Sequence, residues 1–280
     1  MRMRLLATLA MLVVGAGVSA DDIVVPKSPV EGQPLGANAM RLIQTLEYLG
    51  QPFPEDVVIA VEDAVTRRDA AKIQSLLDQH VLFVVSLNPE VRVKVSRGPA
   101  SPTLQQAGYT AHLVKVLNDS TVTRELRIMS PQSGPVYAGA AEAILKRQAQ
   151  TELRENENAG RETDRFLELE MYNAQPMTPR LSGLGVEYAL ALIYCSEHGK
   201  REATIGFDVG AGTQDIGFRG EVPVLFDVKP AQPVRLRITD DNGSPTTARL
   251  TFRDKLGHVF PPQMKRLAPD FFFQPQIYRG

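Results

Sequence analysis

At His80 the apolar residues stop recurring every third or fourth position and begin to recur every second one. That change of period constrains the fold more than any other feature, because strand side chains point alternately to opposite faces while helical ones return every 3.6 residues. His80 to Leu87 is nearly continuous apolar, Val91 to Val95 alternates strictly, and Leu113 to Val116 and Leu126 to Ile128 follow. Asn118-Asp119-Ser120 reads as the turn between the last two. Further strand patterns run from Phe166 to Tyr172, Val186 to Tyr194, Ala203 to Val209 and Val222 to Val228. Alternation of this kind predicts one buried and one wet face, as in an antiparallel sandwich. The expected fold class is therefore mainly β, with a β-sandwich domain over residues 80–230.

Ahead of it, residues 37–79 carry helical periodicity. Leu42, Leu46 and Leu49 share a face, and Gly50-Gln51-Pro52 ends the helix. Pro54-Glu55-Asp56 suits a helix start, where a missing N–H and negative charge are both favourable. Asp69 suits an N-cap for a third helix with Ile73, Leu76 and Leu77 inward. Residues 21–36, which hold Pro26, Pro29, Gly32, Pro34 and Gly36, read as an extended lead-in. Gly139 to Asn158 favours a mid-chain helix by composition.

The chain opens with Arg2 and Arg4, an apolar run from Leu5 to Val18, and Val18-Ser19-Ala20 as a small-x-small site. That is the pattern of a secretory signal peptide over residues 1–20, cleaved near Ala20. Its apolar run is short of the ~20 residues that span a bilayer. The expectation is an exported protein, periplasmic or extracellular, with no membrane span after leader removal. Losing Arg2 and Arg4 leaves 29 basic against 32 acidic residues, a formal charge of −3. No basic excess remains to neutralise a nucleic-acid backbone, so no nucleic-acid partner is expected. With Cys195 as the one cysteine, an intrachain disulfide is impossible and stability must come from the core.

After Pro230 and Pro233 a second unit begins, over residues 231–280. Val234, Leu236 and Ile238 alternate with Arg235, Arg237 and Thr239, and Asp241-Asn242-Gly243 reads as an Asn-Gly hairpin turn. Ala248, Leu250 and Phe252 form the returning strand. So few strands cannot close a sandwich, so this unit reads as the start of a second, truncated one. Phe271, Phe272 and Phe273 are expected to be incompletely buried and an aggregation liability.

No candidate chemistry amounts to an active site. His80, His112, His198 and His258 fall in none of the metal-binding spacings. Cys195 follows the apolar strand Tyr188 to Tyr194 and reads as a core or strand-end cysteine, since a nucleophile would need a base and a lowered pKa. Asp208 to Asp215, Asp-x-Gly-x-Gly-Thr-x-Asp after a strand, resembles the phosphate loop of the actin and sugar-kinase ATPases, which would make a nucleotide-binding enzyme. No second phosphate loop follows, and a glycine-shaped bulged turn accounts for the same residues. Glu168 and Glu170 share one strand face, about 7 Å apart at strand rise, in the manner of a glycosidase pair or of an ordinary wet face. Tyr172, Tyr188 and Tyr194 are candidates for a sugar-stacking platform, which would make the chain an exported carbohydrate-binding module.

One resemblance goes further. Val234 to Ile238, Asp240 to Leu250, Asp254 to Pro262 and Lys265 to Arg279 together resemble the β-domain that precedes the catalytic part of large exported CehA/McbA-type metallohydrolases. Residues 203–226 and 91–128 are similar to the N-terminal half of the same proteins. The resemblance is most specific over 203–279 and implies a second unit of carboxypeptidase-regulatory-like type. The family's metal-binding histidines and acids belong to a PHP domain that no residue here matches. The resemblance therefore implies a non-catalytic accessory module, with no catalytic, cofactor or metal residue of its own and a downstream metallohydrolase domain or polypeptide as partner. A divalent metal would belong to that missing domain.

Overall fold

The computed structural model describes residues 25–134, 165–210, 220–250, 252–260 and 277–279. The leader, the expected helix at 139–158, the end of the glycine loop at 211–219 and Phe271–Phe273 lie outside the described residues.

Helices α1 (Gly32–Leu49), α2 (Glu55–Thr66) and α3 (Ala70–Leu77) open the fold. The expected boundaries hold for α2 and α3, and the Asp69 carboxylate accepts from the Lys72 amide at 2.9 Å as an N-cap. Gly50 closes α1 at φ 77°, its N–H donating to the Glu47 carbonyl. The lead-in is shorter than predicted, because α1 begins at Gly32. Gly32 and Gly36 suggest an extended chain, yet both are contact points. A Cβ on Gly32 would sit 1.8 Å from the Arg68 carbonyl oxygen, and one on Gly36 would sit 3.0 Å from Val65. The glycines let α1 approach the end of α2, and Pro34 falls in the first turn, where its missing N–H costs nothing.

The strands are β1 (Val81–Leu87), β2 (Val93–Arg97), β3 (Thr103–Gln105), β4 (Tyr109–Asn118), β5 (Arg127–Met129), β6 (Leu167–Met171), β7 (Val186–Cys195), β8 (Gly199–Asp208) and β9 (Glu221–Lys229). They form a five-stranded sheet, β2-β1-β4-β7-β6, facing a four-stranded one, β3-β9-β8-β5. The fold is mainly β, as expected, but the sheets are mixed. β1 runs parallel to β4, Val84 opposite Lys115, and β3 runs parallel to β9. The Asn118 turn does not join two strands of one sheet. β5 crosses to the second sheet and pairs with β8.

The five-stranded sheet has no wet face at its centre. Phe83, Val114, Val116 and Ile193 meet Phe207 and Phe226 between the sheets. Val84, Leu113, Leu190 and Leu192 meet Leu35, Leu42, Ile73 and Leu77 under the helices. The helices thus make a third layer, which is why Val81–Val85 and Tyr188–Tyr194 read as continuous apolar runs. The predicted alternation does hold in β9, which faces solvent on one side.

Beyond Pro230 the chain makes β10 (Ala248–Leu250), β11 (Phe252–Arg253), β12 (Val259–Phe260) and β13 (Ile277–Arg279). Among the described residues these pair as two-stranded ladders, β10 with β13 and β11 with β12. Residues 231–237 are exposed, Val234 at 79% and Leu236 at 57%. The Asn-Gly turn forms differently from expectation. Gly243 alone takes positive φ, and the Asp240 carboxylate accepts from the Asn242 and Ser244 amides. A carboxylate-capped turn needs one left-handed residue where a two-residue hairpin turn needs two.

Candidate functional site

The Asp240 arrangement recurs fourteen residues later. The Asp254 carboxylate accepts from the Leu256 and His258 amides, both at 2.9 Å, and Gly257 takes φ 85°. This turn, the tip of the β11–β12 hairpin, delivers His258 to the edge strand β6. There the ring is enclosed on three sides. Its Nε2 lies 2.8 Å from Glu170 Oε1, its Nδ1 lies 2.5 Å from Asp254 Oδ2, and its face stacks on Tyr109 with centroids 4.2 Å apart. Tyr109, at the start of β4, donates its hydroxyl to Glu168 Oε2 at 2.8 Å and tilts against Tyr194. Glu168 and Glu170 alternate along β6 with Leu167 and Leu169, which go to the core.

The electrostatics follow from that enclosure. Burial alone would lower the His258 pKa, but hydrogen bonds to Asp254 and Glu170, with their charges, push it up to about 9. Burial would likewise raise Asp254, yet the His258 ring and the capped amides hold its carboxyl below the ordinary range. The site is a carboxylate–imidazolium–carboxylate sandwich on a tyrosine floor.

A second polar cluster lies between the helices and the five-stranded sheet. Lys115 Nζ, fully buried on β4, donates to the Pro26 carbonyl at 2.8 Å, to Gln74 Oε1 at 3.1 Å and to Asp78 Oδ2 at 2.9 Å. The other Asp78 oxygen accepts from the Tyr188 hydroxyl at 2.8 Å. All three ammonium protons have acceptors, so the charge is tolerated, although burial lowers the Lys115 pKa. The Tyr188 amide and carbonyl both bond the Asn38 side chain, tying α1 to β7.

The three candidate tyrosines do not form a platform. Tyr172, Tyr188 and Tyr194 are all buried, so none offers a ring face to a sugar at the surface. Tyr188 is bound to Asp78, Tyr172 donates to the Gln175 carbonyl, and Tyr194 packs on Tyr109. The hydroxyl pKa values of Tyr188 and Tyr194 are raised, first by burial and then by the carboxylates beside them. Their place on or beside the strands was legible, and what buries them was not.

The histidines scatter. His80 follows α3 with its ring tilted against Phe53, and His198 lies in the β7–β8 turn. His112 is buried under β3, with Arg97 adding to a desolvation that lowers its pKa to about 4. Its Nε2 has no hydrogen-bond partner among the described residues. Cys195 is buried, its thiol donating to the Glu197 carbonyl at 3.2 Å. Asp208 ends β8 and accepts from the Gly210 amide at 2.9 Å, and the rest of that motif, residues 211–215, lies outside the described residues. Glu168 and Glu170 do share a face, but one serves Tyr109 and the other His258. No group of three or more histidine, cysteine or acidic residues that could hold a metal occurs among the described residues. Sequence reasoning missed Tyr109, Asp254 and the Lys115–Asp78 pair. The Asp-x-x-Gly-His turn was the available signal for Asp254, whereas Lys115 sat in an alternating run as though on a wet face.

No family model and no curated protein matches this chain. Two solved structures align with it. They are the S-layer protein rSbsC(31-844), at 13% identity and TM-score 0.23, and surface layer protein SbsC, domains 1-6, at 15% and 0.21. Each alignment covers 62% of this chain and 26% of the S-layer chain, so this chain spans about a quarter of either. Overlaps at such TM-scores carry no argument about fold or role. No helix among the described residues is long and apolar enough to cross a membrane.

Proposed function

We propose that this chain is an exported, non-catalytic accessory module that packs against, or presents a ligand to, a metallohydrolase-like domain or polypeptide. One observation carries the reading. The segment after Pro230 leaves Val234 and Leu236 in solvent, alternating with Arg235 and Arg237, in the region of strongest family resemblance. Large apolar side chains alternating with arginines along an exposed segment suit a protein partner. Among the described residues, His258 is engaged by Asp254 and Glu170, and Lys115 by Asp78. Export rests on the leader pattern of residues 1–20.

The test is direct. Purified chain with added zinc or manganese is expected not to turn over ester or phosphodiester substrates, and turnover above the metal blank would overturn the non-catalytic reading. Cross-linking in the native host, followed by mass spectrometry, is expected to recover peptides of a PHP-type metal-binding domain linked near Val234–Arg237. N-terminal sequencing of the native protein is expected to begin just after Ala20. Burial of Tyr172, Tyr188 and Tyr194 removes the observation that motivated a carbohydrate-binding module.

A further inference from the structure

The β11–β12 hairpin has two residues in each strand, and such a ladder is marginal by itself in water. Among the described residues, its contacts to the sandwich are few and centre on one ring. The His258 nitrogens face two carboxylates, its face lies on Tyr109, and Leu256 packs against the core that the helices share with the five-stranded sheet. Lys255 Nζ donates to the Tyr48 carbonyl at 2.7 Å while the Tyr48 hydroxyl donates to the Lys255 carbonyl at 3.0 Å. The ring is the part whose chemistry can change. An ionised carboxylate only accepts hydrogen bonds, and a neutral imidazole has one N–H and one lone pair. With a carboxylate at both nitrogens, only the imidazolium satisfies both. Loss of one proton must set a lone pair against Glu170 or Asp254.

We propose that the Asp254–His258 turn is a proton-operated latch, which fastens the β11–β12 hairpin to the edge of the five-stranded sheet while His258 is an imidazolium and releases it when the ring is neutral. This is independent of the accessory-module reading. The groups facing the ring are Glu170 on β6 and Asp254 on its own turn, with Tyr109 of β4 beneath. Glu168 and Tyr194 lie behind Tyr109, and Lys255 bonds the end of α1. The closed-state pKa of about 9 lies above the free value of 6.5. The stabilisation is therefore complete below 6.5, weakens about tenfold per pH unit above it, and is gone above about 9. Asp254 acts in the opposite sense. Its contribution is present above its free value of 3.8 and is lost as pH falls through the lower closed-state value. The latch is strongest between those limits, in mildly acidic medium.

Amide hydrogen exchange on the full chain tests this. After correction for base catalysis, protection of the Phe252–Phe260 amides is expected to fall on the order of 100-fold between pH 6.5 and 9.5, while the β7 amides hold theirs. His258→Gln is expected to show low protection of the hairpin at both pH values, with β7 unaffected. Glu170→Gln, which keeps the shape and removes one charge, is expected to shift the fall to lower pH. Hairpin protection that stays constant with pH in the wild type, or that falls identically in His258→Gln, would overturn the proposal.

Discussion

At the scale of single residues, the interior turns on where charge is buried. Lys115 is a cation in an apolar layer, held by Pro26, Gln74 and Asp78. Removing one partner of a buried pair strands the other, at a cost of about 3–5 kcal/mol. Lys115→Met is therefore expected to destabilise by about 3 kcal/mol in denaturant unfolding, and Lys115→Met with Asp78→Leu by less than the sum of the two singles. Additivity of the two would show that the pair is not coupled. Gly98 is constrained differently. A Cβ there would lie 2.1 Å from the Val81 carbonyl oxygen, so Gly98→Ala must displace β1 and is expected to cost about 2–3 kcal/mol. Val91 shows packing overriding local preference. It sits at φ 64°, where a β-branched residue is strained, yet its side chain packs against the core between the sheets.

At the scale of elements, caps and turns carry the predictions. Asp69 caps α3, and Asp69→Ala is expected to lower stability by about 1 kcal/mol. The Asp254 turn needs its left-handed glycine. Gly257→Val would put a β-branched side chain at φ 85°, a cost of about 1–2 kcal/mol borne by the hairpin. Faster exchange of the Phe252–Phe260 amides with unchanged β7 protection is the expected sign, and equal loss in both would show that the hairpin and sandwich open together. Element types and many boundaries were legible, because α2, α3, β6, β7 and β9 each combine a clear period with a breaker or cap at the end. The start of α1 was not legible, since Gly32 and Gly36 signal a break locally and a close helix contact globally.

At the scale of the molecule, the five-stranded sheet is shared by two cores, one under the helices and one between the sheets. Layers that share a central element should unfold together. Helical circular dichroism and tyrosine fluorescence are expected to give one coincident transition for residues 25–230, and separate midpoints would mean that the helical layer is independent. The sequence by itself determined the mainly β class, the leading helices, the strands and the caps, because these rest on periodicity and on chemistry within a few residues. Only the tertiary structure decided the parallel pairing of β1 with β4, the burial of Tyr172, Tyr188 and Tyr194, and the meeting of His258 with Glu170 and Tyr109. The physical reason is separation along the chain. Alternation says that a face is buried, but what buries it comes from residues tens to more than a hundred positions away, which no local pattern encodes.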